Sequence, residues 1–127
     1  MQTNYEKVRE FREHFPNNLT LEGQFHLIEE EFNEVTDEIF TKMYPGGFLV
    51  LKDNIDRRKL AKELADLEYV IHDMALSLNI DQDRSFDEVH KSNMSKLGED
   101  GKPVYREDGK VLKGPNYQPP KLDWITK

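Results

Sequence analysis

Apolar residues recur at helical spacing in four stretches of the chain, and this recurrence predicts four helices. The first predicted helix runs from about residue 3 to 15, and Pro16 ends its pattern. The second runs from about residue 21 to 42, with Thr20 as its N-cap because a threonine hydroxyl can accept a hydrogen bond from the first turn. These two helices make up most of the first third of the chain.

The other two predicted helices lie in the second half. The third runs from about residue 55 to 79, and Asp53 or Asn54 is expected to be its N-cap. The fourth runs from about residue 86 to 97, and the run Ser85-Phe86-Asp87-Glu88 before it has the spacing of a capping box.

Each of the two long helices carries a continuous apolar stripe, which predicts that one face of each is buried. The positions follow a spacing of three and four residues: Phe25, Ile28, Phe32, Val35 and Ile39 in the second helix, and Leu60, Leu64, Leu67, Ile71, Met74 and Leu78 in the third.

The remaining segments are not helical. Phe48–Leu51 is a short apolar run whose role stays open between a strand fragment, a core plug and a subunit contact. Asp108-Gly109 between β-forming residues predicts a small hairpin. The proline-containing stretch 114–120 is expected to run extended, and Trp124 is a candidate to anchor the end of the chain.

These elements predict an all-α bundle of four helices with a short C-terminal β-hairpin and extended tail. With 127 residues the chain is expected to form a single domain, with a helical core at about 3–97 and the tail at 98–127. No segment resembles a signal peptide or a membrane span, so we expect a cytoplasmic protein that does not enter membranes.

Composition narrows the chemistry. The chain contains no cysteine, which excludes disulfides, zinc–thiolate sites and cysteine nucleophiles. Its 25 acidic and 18 basic residues give a formal charge of −7, which argues against binding of duplex nucleic acid.

Two pairs of carboxylates stand out against this background. Glu31 and Glu34 in the second helix, and Glu63 and Asp66 in the third, are each three residues apart and border an apolar stripe. Four hard oxygen ligands facing one space would suit Mg²⁺ or Mn²⁺. The competing interpretation is an ordinary solvated acidic face, but the run Glu29–Glu38 has no basic i+4 partner before Lys42, so its repulsion is expected to require a cation or a basic partner.

Leu27-Ile28-Glu29-Glu30-Glu31-Phe32-Asn33-Glu34 followed by Glu63-Leu64-Ala65-Asp66 resembles the E-x-x-E…E-x-x-D signature of the all-α NTP pyrophosphatase superfamily. That superfamily includes MazG-type enzymes, phosphoribosyl-ATP pyrophosphohydrolases and dimeric dUTPases. Val89–Lys96 and Asp108–Tyr117 are also similar to a MazG-like branch.

The resemblance implies a nucleoside triphosphate pyrophosphohydrolase with a MazG-like domain, which cleaves an NTP or dNTP to the monophosphate and pyrophosphate. It also implies a homodimer or a dimer of dimers with sites near the subunit interface. The implied metal ligands are Glu31, Glu34, Glu63 and Asp66, which would bind Mg²⁺. Glu30 is the implied catalytic residue, which would orient or deprotonate the attacking water, and the residues implied on the substrate side are Lys91, Asn93, Lys96 and Lys113. Phe11 and Phe15 are candidates for a base pocket, although residues at this spacing are more often core.

Three alternatives remain at this stage. Two are narrower enzymes, one specific for phosphoribosyl-ATP and one for dUTP or dCTP. The third, from a different class, is a catalytically silent helical bundle that uses its acidic face to bind a basic partner.

Overall fold

The structure of the protein is a computed structural model that describes residues 1–43 and 45–127; Tyr44 lies outside the described residues. The chain divides into two compact units, Met1–Asn79 and Ile80–Lys127. The first unit contains three helices and a hairpin: α1 (Asn4–His14), α2 (Leu21–Ile39), β1 (Phe40–Met43), β2 (Phe48–Leu51) and α3 (Arg57–Ser77).

Threonine side chains begin both α1 and α2. In α1 the Thr3 hydroxyl accepts from the Glu6 backbone N–H at 3.1 Å, and the Glu6 carboxylate accepts from the Thr3 N–H at 2.9 Å, which is a complete capping box. Thr20 accepts from Gly23 N–H at 3.0 Å, so the predicted cap of α2 is confirmed. The first helix is also close to its predicted bounds.

The predicted end of α2 at residue 42 is wrong. The helix ends at Ile39 because the chain turns into an antiparallel hairpin, in which Phe40 pairs with Leu51 and Met43 with Phe48. The open question about Phe48–Leu51 is therefore answered: it is a strand. A hydrogen bond from Lys52 N–H to Ile39 O at 2.9 Å closes the neck of the hairpin.

The cap of α3 is Asp56, and the prediction of Asp53 or Asn54 is wrong. The Asp56 carboxylate accepts from the backbone N–H groups of Arg58 and Lys59 at 3.1 and 3.2 Å. It therefore satisfies two N–H groups that have no partner inside the helix.

In the first unit α3 packs against both α1 and α2. The buried side chains include Val8, Val35 and Ala75, together with the polar Gln24, which is 1% exposed. Most of the two predicted apolar stripes is not buried in the single chain, however: Phe32 is 57% and Leu64 50% exposed. The stripes do lie on helices, as their spacing predicted, but much of their apolar surface is exposed to solvent in the single chain.

The second unit contains α4 (Gln82–Met94) and a small hairpin of β3 (Val104–Tyr105) and β4 (Val111–Leu112). The predicted capping box at Ser85 is wrong, because Asp81 is the cap and Ser85 lies within the helix, where its hydroxyl donates to Asp81 O at 3.0 Å. The hairpin predicted around Asp108-Gly109 is present, and Gly109 has the positive φ of 89° that its turn requires.

The tail is attached to the end of α4 by backbone contacts. Gly114 N–H donates to Lys96 O at 2.9 Å, and Gln118 O accepts from Ser92 Oγ at 2.8 Å. Near the start of α4, the Arg84 guanidinium lies 4.3 Å from the centre of the Trp124 ring. Trp124 thus anchors the tail as the sequence suggested.

The all-α class with four helices and a C-terminal hairpin is confirmed. The hairpin between α2 and α3 was not predicted. Among the described residues, no helix combines the length and the apolar character needed to span a membrane.

Candidate metal centre

The two carboxylate pairs predicted from the sequence meet in the first unit. Glu31 and Glu34 come from α2, and Glu63 and Asp66 come from α3. One carboxylate oxygen from each of the four lies within 4.8 Å of the others, and all four side chains are partly buried. The i,i+3 spacing places both members of each pair on the side of their helix that faces the other helix.

Two oxygen atoms of this group lack a hydrogen-bond donor. Glu31 Oε2 and Glu63 Oε2 are buried, and neither has a partner among the described residues. Withdrawing a carboxylate oxygen from water without a partner is costly, and a bound cation would remove that cost. Four carboxylates are also the hard donors that Mg²⁺ and Mn²⁺ prefer, so these residues fit a divalent ion.

The close contact of the carboxylates affects the pKa of Glu63. Glu63 has a raised pKa, mainly because it shares a hydrogen bond with the Glu34 carboxylate and further because it is buried. Two carboxyl groups in such contact hold a proton more tightly than one alone, and a cation between them would replace that proton.

Lys62 is a member of the site that sequence reasoning missed. Its ammonium lies 3.0 Å from Asp66 Oδ2 and 3.6 Å from Glu63 Oε1. The hydrogen bond to Asp66 raises the pKa of Lys62, with further attraction from the neighbouring carboxylates. The i,i+4 spacing of Lys62 and Asp66 was the available signal.

The acidic residues on α2 have a basic neighbour that the sequence analysis did not consider. His26 Nδ1 lies 2.8 Å from Glu29 Oε1, and His26 Nε2 lies 3.7 Å from Glu22 Oε1. His26 lies three residues before Glu29 and is not an i+4 partner of the run, so it is an additional imidazole contact that the spacing argument did not count.

The other predicted site residues are either outside the group of four carboxylates or belong to the second unit. Glu30 is exposed and outside the group. The predicted substrate residues Lys91, Asn93, Lys96 and Lys113 belong to the Ile80–Lys127 unit. Within that unit Lys91 Nζ is 3.6 Å from Glu88 Oε1, and Lys113 Nζ is 4.6 Å from the centre of the Tyr117 ring. Their roles stay predictions.

Phe11 and Phe15 are not core residues, so the more common alternative weighed for them is wrong. They are 48% and 63% exposed and stack with ring centres 4.6 Å apart. Tyr69 of α3 meets Phe11 edge-on at 5.7 Å. The three rings form an exposed aromatic row on the first unit.

Comparison with solved structures gives 19 matching chains, whereas no curated protein matches. One of the matching structures, a crystal structure at 1.78 Å resolution, is a protein from Exiguobacterium sp. 255-15 provisionally described as an NTP pyrophosphohydrolase. It is 27% identical in sequence, and the match covers 93% of this chain and 68% of that chain with a TM-score of 0.49.

Comparison with protein families gives a match over residues 4–93 to the family described as phosphoribosyl-ATP pyrophosphohydrolase. The matched segment is well over half of the chain and includes all four carboxylates of the site. The chain therefore belongs to the phosphoribosyl-ATP pyrophosphohydrolase family, in the all-α NTP pyrophosphatase superfamily, and is a pyrophosphohydrolase.

Proposed function

We propose that the protein hydrolyses a nucleoside triphosphate, either an NTP or a dNTP, between its α and β phosphates in a Mg²⁺-dependent reaction that gives the monophosphate and pyrophosphate. The observation that carries the proposal is the group of four carboxylates within 4.8 Å of one another, two of which have buried oxygens without a donor. Mn²⁺ has the same ligand preference and is proposed as a substitute.

Glu31, Glu34, Glu63 and Asp66 would hold the metal. When bound, Mg²⁺ neutralises charge on the phosphates and lowers the pKa of a coordinated water. Lys62 balances part of the negative charge at the edge of the group, where its ammonium contacts Asp66.

Residues outside the metal group supply the remaining roles in the proposal. Glu30, next to Glu31 in the chain, is proposed to orient or deprotonate the attacking water. Lys91, Asn93, Lys96 and Lys113 are proposed to contact the substrate, since ammonium and amide groups donate hydrogen bonds to phosphate oxygens.

A second candidate substrate is phosphoribosyl-ATP, which has the same triphosphate linkage. The family match over residues 4–93 favours it, because the family is described by that activity. No particular contact among the described residues favours an enzyme specific for dUTP or dCTP. A catalytically silent bundle is disfavoured by the family to which the chain belongs.

The proposal includes the assembly and the location expected from the sequence. We propose a homodimer or a dimer of dimers acting in the cytoplasm. The exposed apolar positions on both long helices support the assembly, because contiguous exposed apolar surface is typical of interaction sites.

The test is pyrophosphate release from a panel of NTPs, dNTPs and phosphoribosyl-ATP, measured with Mg²⁺ and again with EDTA. We expect metal-dependent release of pyrophosphate with a nucleoside monophosphate as the other product. The preferred member of the panel identifies the substrate. Release of orthophosphate with a diphosphate product would mean that a different bond is cleaved, and the proposal would be wrong.

A pair of variants links the activity to the site. Glu34→Gln removes one ligand charge and is expected to lower turnover at least 100-fold, an effect on the order of losing a metal-site group. Glu38→Gln makes the same change one turn further along α2, outside the carboxylate group, and is expected to retain wild-type activity. Equal activities of the two variants would show that the carboxylate group does not take part in the reaction.

A further inference from the structure

The hairpin between α2 and α3 exposes apolar side chains to solvent. Every residue of β2 is apolar and exposed: Phe48 is 59%, Leu49 51%, Val50 42% and Leu51 63% exposed. Because side chains alternate along a strand, these residues place apolar groups on both faces of the hairpin. An isolated two-stranded hairpin is marginally stable in water at best, so this one needs a cover.

The two strands differ in what their outer edges present. β1 contains Thr41 and Lys42, and a lysine on an edge strand discourages pairing with another chain. β2 contains no polar residue, so its outer edge lacks that protection. An exposed apolar edge without charge is a template for the addition of another strand.

The exposed area of the chain is larger than a compact monomer of this mass would have, which leaves room for an interface. The chain exposes 10128 Å². A monomeric protein of this mass exposes about 7000 Å², and two separate bodies with the sizes of the two units would together expose about 8400 Å². The excess over either figure is larger than the roughly 800 Å² per partner of a standard interface.

From these observations we propose that the outer edge of β2 pairs antiparallel with β2 of a second copy of this chain, which joins the two hairpins into one four-stranded sheet. A twofold axis brings the same patch of both copies together, and an antiparallel pair of identical strands has that symmetry. The added strand would satisfy the edge, and the second hairpin would cover apolar side chains that the single chain leaves in water.

This inference rests on the assembly in the proposed function and is independent of the hydrolysis. If the chain dimerises by another surface, the inference fails and the enzyme proposal stands. Activity and oligomeric state are therefore measured separately.

The first experiment measures mass in solution by light scattering during gel filtration, over a range of protein concentrations. We expect a dimer or larger assembly for the wild type. Leu49→Lys places like charges near each other across the proposed strand pair, and it is expected to raise the dissociation constant at least tenfold. Thr41→Lys, on the opposite strand of the same hairpin, is the control and should leave the constant within about twofold of the wild type.

The second experiment remains informative if Leu49→Lys fails to fold. Because the chain has no cysteine, a single introduced cysteine reports only its own neighbours. Val50→Cys is expected to form a disulfide-linked dimer under mild oxidation at micromolar concentration, while Glu107→Cys, in the exposed turn of the second unit, stays reduced. A monomeric wild type, a dimer unaffected by Leu49→Lys, or equal cross-linking of the two cysteine variants would overturn the proposal.

Discussion

Arg12 makes a group of part-buried hydrogen bonds between α1 and α3, and its replacement gives the sharpest test of this contact. Arg12 Nε donates to Asp73 Oδ1 at 2.9 Å, and Arg12 Nη2 donates to Asp73 Oδ1 at 2.5 Å and to Asp73 O at 2.8 Å. The Arg12 and Asp73 side chains are only 23% and 16% exposed. Arg12→Met keeps much of the aliphatic length and removes all three hydrogen bonds.

The expected cost follows from this burial. Removing one partner of a fully buried ion pair costs about 3–5 kcal/mol, and a hydrogen bond to a charged group contributes about 1.5–3 kcal/mol. Because about a fifth of each side chain is still in water, we expect Arg12→Met to lower the free energy of unfolding by about 2–3 kcal/mol. For a chain of this length that corresponds to a fall in Tm of about 8–12 °C.

Arg9→Met is the matched control on the same helix. Arg9 is 53% exposed and its Nη2 lies 3.8 Å from Glu6 Oε2, so we expect a change below about 0.5 kcal/mol. Both variants are measured by urea and thermal unfolding at one fixed protein concentration, because assembly would make Tm concentration-dependent. Equal losses in the two variants would refute the argument that Arg12 holds α1 against α3.

Three further outcomes are expected. Because the pKa of Glu63 is raised, its contribution to stability is complete below the usual value of 4.5 and is lost as pH rises through the higher folded value. In thermal melts over that pH range, metal-free Glu63→Gln should therefore lose less stability than the metal-free wild type. Added Mg²⁺ should raise only the wild-type Tm. Thr3→Ala should cost about 1 kcal/mol at neutral pH. The pKa of Glu6 is lowered first by the backbone hydrogen bond from Thr3, which alanine keeps, and next by a hydrogen bond to the Thr3 side chain, which alanine lacks; the difference from wild type should therefore shrink as pH falls through that lowered value. Gly114→Ala would place a Cβ against the Leu97 carbonyl oxygen, closer than van der Waals contact allows. The tail should therefore detach and be cut faster by a protease, while helix content in circular dichroism should hardly change.

The candidate site could be predicted from the sequence because its geometry is largely local. Each carboxylate pair is set by the i,i+3 spacing of one helix, and both pairs border an apolar stripe, which marks the side of a helix that is expected to face other structure. Lys62 was missed because a lysine beside two acids is also the commonest pattern of a solvated helix surface.

The parts that could not be predicted depend on competition between similar signals or on distant pairing. Asp81 and Ser85 are both good N-cap residues, and the earlier one begins α4 because the chain can already turn there. The end of α2 was misplaced because Phe40–Met43 has helical spacing as well as β-forming residues, and pairing with Phe48–Leu51 decided between the two. Whether the apolar stripes are buried depends on the structure that covers them, and the pattern of apolar residues in one chain does not specify that structure.

The closed neck of the β1–β2 hairpin has a consequence for how this enzyme can vary. The hydrogen bond between Lys52 and Ile39 brings the chain back beside the end of α2 before it continues toward α3. Residues beyond that neck can be gained, lost or replaced without moving the carboxylates of the two helices. The number of residues between the two acidic motifs is therefore a poor criterion for recognising relatives. Natural or engineered changes in the hairpin could alter how copies associate while the catalytic chemistry is preserved.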